Sequence, residues 1–142
     1  MWYHIQTEIH IDKDPKSVWK ALMDFSSYPK WNPFITSIKQ VSDQQLVAVM
    51  RSGNSDMTFK PRILKMESQK EFRWLGKLGG IGGLFTGEHY FLLSPERGGT
   101  LFRQGEKFSG ILAWILLPFM KKDIQANFVR FNEALKALVE GE

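Results

Sequence analysis

The stretch YHIQTEIHIDKDPKSVWKALM, residues 3–23, decides the fold class because a strand pattern and a helix pattern meet in it. Apolar and polar side chains alternate over residues 3–11, which indicates a half-buried strand. Asp14 then supplies an N-cap and Pro15 a first helical position, and the apolar residues that follow recur at helical spacing. The sequence therefore predicts a strand followed directly by a short helix that ends near Asp24.

Downstream of this strand and helix, Trp31 lies between two prolines and indicates a turn or a brief second helix. Six strand-like runs follow, at roughly 35–41, 45–51, 56–66, 71–77, 84–94 and 100–109. Their short connections predict an antiparallel meander, and apolar spacings of four and three from about Pro118 predict a long amphipathic helix. We therefore predict an α+β fold, with residues 1–142 in a single domain: a seven-stranded curved antiparallel sheet wraps around the C-terminal helix, and two short helices follow the first strand.

Composition favours an apolar cavity and excludes several classes of chemistry. With 43% hydrophobic and 13% aromatic residues, the chain has more large apolar side chain than a minimal core needs. There is no cysteine, so disulfides and thiol chemistry are excluded, and the three histidines show no metal-ligand spacing. The net charge of +4 is scattered and carries no aromatic–basic motif. We expect no metal, no organic cofactor and no nucleic-acid partner.

Two segments bear on targeting and on membrane contact. The start, MWYHIQTEIHI, lacks a basic and an apolar signal region, so we expect a cytoplasmic protein. The longest apolar run, ILAWILLPFM at Ile111–Met120, is far short of the roughly 20 residues that a membrane span needs. We expect it to be buried at the start of the last helix. The alternative is an apolar rim at a cavity mouth that touches a membrane transiently, or a partner.

The stretch LGKLGGIGGLFTGEHYF, residues 75–91, contains six glycines. It does not match a dinucleotide fingerprint, because Phe85 stands where the third glycine belongs, and it lacks the lysine and hydroxyl spacing of a P-loop. We interpret it as a strand connection in which four glycines supply positive-φ positions and form a gating flap beside a cavity: Gly79, Gly80, Gly82 and Gly83. The alternative is a bulged turn with a close strand crossing.

Period-two alternation places a large set of side chains on the inward face of such a sheet, with further candidates on the helices. The predicted ligand-binding residues are Trp31, Met57, Phe59, Ile63, Phe72, Trp74, Phe91, Phe102, Gln104, Glu106, Phe108, Trp114, Phe128 and Phe131. Rings in this number would enclose an apolar pocket with a few polar groups to orient a ligand. The alternative is that they simply fill the core.

Two strand registers lead to two polar pairs. If Phe91 faces inward, His89 lies opposite Glu106, and a carboxylate that holds an imidazole serves either as an acid–base pair or as a satisfied hydrogen bond. If Tyr90 faces inward instead, Glu88 opposes Glu106. We favour the first register, in which Glu106 and His89 are the candidate catalytic residues.

The order of elements, together with four stretches, resembles the START-like superfamily, also called SRPBCC, in its polyketide cyclase/dehydrase and lipid-transport-like branch. The stretches are HIQTEIHIDKDPKSVWKALMDFSSYPKWNPFI, GEHYFLL, GGTLFRQGEKFSG and FNEALKAL. The resemblance spans the whole chain and implies a helix-grip fold, in which sheet and long helix enclose a deep cavity for lipids, polyketides or other apolar molecules. It does not imply one activity, because binders, transfer proteins and cyclases share the fold.

The expected function is the binding of a lipid-, polyketide- or aromatic-like small molecule between the sheet and the C-terminal helix. Neither a cysteine nor a G-x-S-x-G elbow is present, so we expect a binding protein rather than an enzyme. One alternative is a cyclase or dehydratase that works through Glu106 and His89. Another is a delivery module that contacts a membrane or a partner through Ile111–Met120.

Overall fold

The computed structural model describes residues 2–52, 54–77 and 84–141. Its elements in chain order are β1 (Trp2–Ile11), α1 (Pro15–Met23), a 3-10 turn (Phe25–Ser27), α2 (Tyr28–Trp31), β2 (Ile35–Gln40), β3 (Leu46–Ser52), β4 (Ser55–Phe59), β5 (Arg62–Glu67), β6 (Glu71–Lys77), β7 (Thr86–Glu96), β8 (Gly99–Ser109) and α3 (Ile111–Glu140). The predicted opening is confirmed: Asp14 Oδ1 accepts a hydrogen bond from the Ser17 backbone N–H at 3.0 Å, and Pro15 is the first residue of α1.

The described strands form two antiparallel sheets. One has five strands in the order β1-β8-β7-β6-β5, and the other has three in the order β2-β3-β4. The C-terminal half of α3 packs onto the concave side with a fully buried apolar stripe that includes Phe128, Phe131 and Leu135. The predicted α+β helix-grip class is therefore confirmed.

The prediction of one seven-stranded sheet is wrong in detail, because the predicted strand 56–66 is divided in two. Pro61 stands at the division, and a proline has no N–H to donate to a sheet ladder. Its carbonyl accepts from the Leu46 backbone N–H at 3.0 Å, and an isolated bridge joins Gln45 to Arg62. The chain therefore changes sheets at this point, so that β4 pairs with β3 and β5 pairs with β6.

A two-residue turn joins β7 to β8. Its central residues, Arg97 and Gly98, have φ values of 46° and 78°, as a type I′ hairpin requires. The eleven pairs of this hairpin run from Glu96 opposite Gly99 to Thr86 opposite Ser109 without a bulge.

On the outer face of the sheet, Tyr90 reaches from β7 across β8 to β1. It crosses at Gly105, where a Cβ atom would overlap the Tyr90 hydroxyl and come within 2.6 Å of the Ile5 carbonyl oxygen. The hydroxyl donates to Gln6 Oε1 at 2.5 Å. Burial raises the pKa of Tyr90, against the opposing effect of two nearby arginines. One side chain, which can pass only because residue 105 is a glycine, thus ties β7, β8 and the edge strand β1 together.

The helix α3 begins at Ile111, several residues before the predicted start near Pro118. The prediction that Ile111–Met120 is buried is wrong. Only Ala113 and Leu117 are buried in this segment, and Phe119 is 83% exposed. A helix presents only one stripe to a core, here one residue per turn, so the other apolar side chains of the segment face outward. Within the described residues, no helix is long and apolar enough to cross a membrane.

Candidate functional site

A cavity of about 210 Å³ lies between α3, the three-stranded sheet and strands β6 to β8. Its inner wall is largely aromatic and includes the buried rings of Trp74, Phe108 and Phe128. Met57 on β4 and Met120 on α3 also line it and are 47% and 38% exposed, so they lie at its opening. The cavity is therefore an apolar chamber whose opening includes exposed methionines.

Seven of the predicted site residues line this cavity: Met57, Phe59, Trp74, His89, Glu106, Phe108 and Phe128. Eight do not: Trp31, Ile63, Phe72, Phe91, Phe102, Gln104, Trp114 and Phe131. The reason is packing, because the Phe131 ring stacks on Phe91 and Phe102 with centroids 5.4 and 6.4 Å apart and fills the space along the C-terminal half of α3. Trp114 lies outside the core altogether, where it packs on Tyr3.

The remaining lining residues were not predicted: Phe34, Ile35, Met50, Ser55, Gly76, Lys77, Phe85, Gly87, Met120, Ile124 and Asn127. Four of them belong to the three-stranded sheet or the turn before it, whose position depends on the division at Pro61. Asn127 carried a usable signal, because it lies next to Phe128 and one turn after Ile124, on the predicted apolar stripe. A polar residue on such a stripe is a candidate cavity group.

The predicted gating loop lies outside the described residues, since Gly79, Gly80, Gly82 and Gly83 are not among them. It stays a prediction. Lys77, directly before the segment 78–83, and Phe85, two residues after it, line the cavity.

His89 lies in the cavity wall opposite Glu106, as the first of the two predicted registers requires. Its side chain is 3% exposed, and its ring stacks on Trp74 with centroids 4.8 Å apart and planes at 20°. Phe91 and Phe128 complete an aromatic enclosure at 4.9 and 5.0 Å. Such an enclosure suits an imidazole in either charge state, since aromatic faces attract cations.

Glu106 connects this histidine to the cavity. Its Oε1 is 2.9 Å from His89 Nδ1, its side chain is 20% exposed, and its predicted inward orientation is confirmed. The other oxygen, Oε2, lies over Gly87 on the neighbouring strand, where any Cβ atom would overlap it. Gly87 therefore provides the space in which the carboxylate rests.

The second ring nitrogen of His89 begins a buried chain of hydrogen bonds whose direction is fixed at its far end. The backbone carbonyl of Gln104 can only accept, so Thr7 must donate its hydroxyl hydrogen to it at 3.0 Å. The Thr7 oxygen then accepts from Asn132 Nδ2 at 2.8 Å, and Asn132 Oδ1 accepts from Gln104 Nε2 at 2.8 Å. Gln104 Oε1 is thereby turned toward His89 Nε2 at 2.9 Å, so Nε2 must carry a hydrogen.

This assignment determines how the pair at the cavity holds its protons. With Nε2 protonated, the 2.9 Å contact between His89 Nδ1 and Glu106 Oε1 needs one further proton, because two lone pairs at that distance repel. The pair is therefore either imidazolium with carboxylate or imidazole with carboxylic acid. In both forms a single proton lies between the two atoms, and the carboxyl group faces the cavity.

The family model described as polyketide cyclase / dehydrase and lipid transport matches residues 3–140. The chain belongs to this family. The resemblance drawn from the sequence is thereby confirmed.

Solved structures give the same fold. The ZhuI aromatase/cyclase from Streptomyces sp. R1128 superposes with a TM-score of 0.80 at 11% identity, over 99% of this chain and 94% of that one. A START superfamily protein from Mycobacterium smegmatis gives 0.78 at 17% identity, over 97% of each chain. Ara h 8.0201 gives 0.78 at 13% identity over the full length of both. At these identities the likeness shows the fold alone, and a comparison with curated protein sequences gave no match.

In this member of the polyketide cyclase / dehydrase and lipid transport family, other polar groups reach the cavity. Asn127 accepts a hydrogen bond from Arg130 through Oδ1, and its amide nitrogen has no partner among the described residues. Ser55 and Lys77 are exposed at the opening. No group of three or more His, Asp or Glu side chains in the described part of the chain is arranged to hold a metal ion.

The direction of the buried chain can be measured. Long-range ¹⁵N NMR should show that His89 Nε2 bears a proton. The substitution Thr7→Val should lower the free energy of unfolding by about 1–3 kcal/mol, because Asn132 Nδ2 loses its acceptor. The matched control is Thr58→Val on the exposed side of β4, which should be near neutral. A non-protonated Nε2 would contradict the assignment.

A second prediction concerns the space over Gly87 in which the Glu106 carboxylate rests. Gly87→Ala should push the end of the Glu106 side chain away from His89 without shifting the strand, because the atoms that a Cβ would overlap belong to that side chain and not to the backbone. Gly76→Ala is the matched control, since it pairs with Gly87 across the strands and a Cβ atom there would make only ordinary contacts at 3.9 and 4.0 Å. A crystal structure of each variant gives the Nδ1 to Oε1 distance; an unchanged distance in Gly87→Ala would refute the prediction.

Proposed function

We propose that residues 1–142 form a single ligand-binding domain that takes up an apolar or amphipathic small molecule, without a metal or organic cofactor. The observation that carries this proposal is the cavity itself: an aromatic wall, exposed methionines at the opening and one carboxyl group held by a buried histidine. Sites of this kind use the apolar wall for affinity and the few polar groups for orientation.

The dimensions favour a flat or slender ligand. A volume of about 210 Å³ is below the roughly 300–1,000 Å³ of drug-sized sites, so one ring system or a short chain would fill it. Rings from Trp74, Phe108 and Phe128 suit an aromatic ligand, and a longer tail would leave between Met57 and Met120.

The expected affinity is modest. Burying about 200 Å² of apolar ligand surface contributes about 5 kcal/mol before the cost of association. A hydroxyl or carbonyl on the ligand that bonds the Glu106–His89 pair would add both affinity and orientation. We therefore propose a ligand with an apolar body and one polar group at its inner end.

The test uses 2-naphthol and naphthalene, which differ by one hydroxyl, in calorimetric titrations of the full chain. Saturable one-to-one binding of 2-naphthol is expected, weaker binding of naphthalene, and an at least tenfold loss of both in Ile124→Trp, because Ile124 lines the cavity. Val129→Trp is the matched control, since Val129 is exposed on the same helix and outside the cavity. Binding that survives unchanged in Ile124→Trp would refute the cavity as the site.

A second candidate function, cyclisation or dehydration of a polyketide-like substrate, is favoured by the single proton held between His89 Nδ1 and Glu106 Oε1. A carboxyl group that faces an apolar cavity and exchanges a proton with an imidazole is equipped for general acid–base catalysis. The aromatase/cyclase among the structural neighbours supports the candidate at the level of fold only.

Glu106→Gln distinguishes the two functions. For an enzyme, turnover of a linear poly-β-ketone thioester should fall at least about a hundredfold while 2-naphthol binding stays within a few-fold, because the amide keeps the shape and loses the proton transfer. For a binding protein, the unmodified chain binds 2-naphthol and gives no turnover above the uncatalysed rate. Equal turnover by the variant and the unmodified chain would exclude Glu106 as the acid or base.

A further inference from the structure

The first three turns of α3 expose an apolar surface. We call it the α3 apolar face; its members are Ile111, Leu112, Trp114, Ile115, Leu116, Phe119 and Met120, all exposed. Single exposed apolar residues are ordinary, but a contiguous group that includes a tryptophan and a phenylalanine marks an interaction site.

The α3 apolar face adjoins the mouth of the cavity. Met120 belongs to both, since it is exposed on the helix and also lines the cavity. Met57 continues the apolar surface on the other side of the opening. A partner that covers the face would therefore also lie against the cavity mouth.

The charges beside the face are mainly positive. Lys121 and Lys122 follow it directly on the helix, and Lys77 lies at the cavity opening. All three are exposed, and none forms an ion pair with another described residue. Asp123 is the one acidic residue that follows in the next turn of the helix. The surroundings thus favour an anionic partner.

We propose that the α3 apolar face docks this protein onto an anionic membrane surface. A helix segment of this kind, with Trp, Phe and Leu side chains beside lysines, fits the interface of a bilayer: the rings enter the acyl boundary and the lysines meet lipid phosphates. The ten residues from Ile111 to Met120 extend about 15 Å along the helix axis, so several of them reach the bilayer together. The docked orientation places the cavity mouth against the membrane.

A second copy of the chain is a less suitable occupant. In a twofold dimer the same surface meets itself, so the two pairs of lysines at Lys121 and Lys122 would be brought near each other. Lipid phosphates neutralise those charges, whereas a second copy adds to them. The proposal does not depend on what the cavity binds, so it and the proposed function fail or succeed separately.

The test is flotation of the full chain with vesicles of phosphatidylcholine alone and of an equimolar mixture with phosphatidylglycerol. Binding to the mixed vesicles is expected. It should fall about tenfold or more in the double variant Ile115→Ser/Phe119→Ser, because the inserted side chains are lost. In Lys121→Gln/Lys122→Gln it should fall about fivefold per lysine, the equivalent of about 1 kcal/mol each.

The matched control is Val41→Ser, since Val41 is 60% exposed between β2 and β3 and belongs to neither the face nor the cavity. Its binding should be unchanged, and thermal melts of all variants confirm that they fold. The proposal is overturned if the unmodified chain floats with neither vesicle, or if Ile115→Ser/Phe119→Ser binds as well as the unmodified chain. A concentration-dependent dimer by light scattering, abolished by those two substitutions and without vesicle binding, would assign the face to a second copy instead.

Discussion

The pairing of β7 with β8 is the constraint on which the site depends. The turn at Arg97 and Gly98 leaves no freedom of register, because a shift by one residue would move every inward side chain to the outer face. From this one hairpin it follows that His89 lies opposite Glu106 and that Gly105 lies opposite Tyr90. β1 and β6 then pair on either side, and β1 brings Thr7 opposite Gln104.

A polar network inside an aromatic core is stable only when every member has its partner. His89, Gln104 and Asn132 are almost fully buried, and each uses its donors and acceptors on another member of the chain or on Glu106. Removing one partner would leave a buried amide unpaired at a cost of about 1–3 kcal/mol. The hydrogen bonds that offset the cost of burying the histidine therefore also orient its ring. The backbone carbonyl of Gln104, which accepts from Thr7, determines its tautomer.

The two halves of α3 have different roles because they meet different surroundings. The C-terminal half presents Phe128, Phe131 and Leu135 to the five-stranded sheet and is closely packed. The N-terminal half passes beside the three-stranded sheet, which lies apart from the larger one after the break at Pro61, and the space between them remains as the cavity. The apolar segment Ile111–Met120 contacts the protein on one side only, so its other side chains stay exposed. The cavity and the α3 apolar face therefore both arise from the separation of the two sheets beside this half of the helix.

The local sequence determined those features that depend only on residues close together along the chain. Alternation and capping gave β1 and α1, spacing gave the inner stripe of α3, and the resemblance gave the family, because these signals need no knowledge of distant contacts. Alternation also put Trp74, Glu106 and Phe108 on the inward face. Only the tertiary structure decided which inward residues border empty space and which, like Phe91 and Phe131, pack against each other, since every such position has the same apolar pattern. It also decided the direction of the Thr7–Asn132–Gln104–His89 chain, because four separate elements must meet before a carbonyl on one can orient a histidine on another.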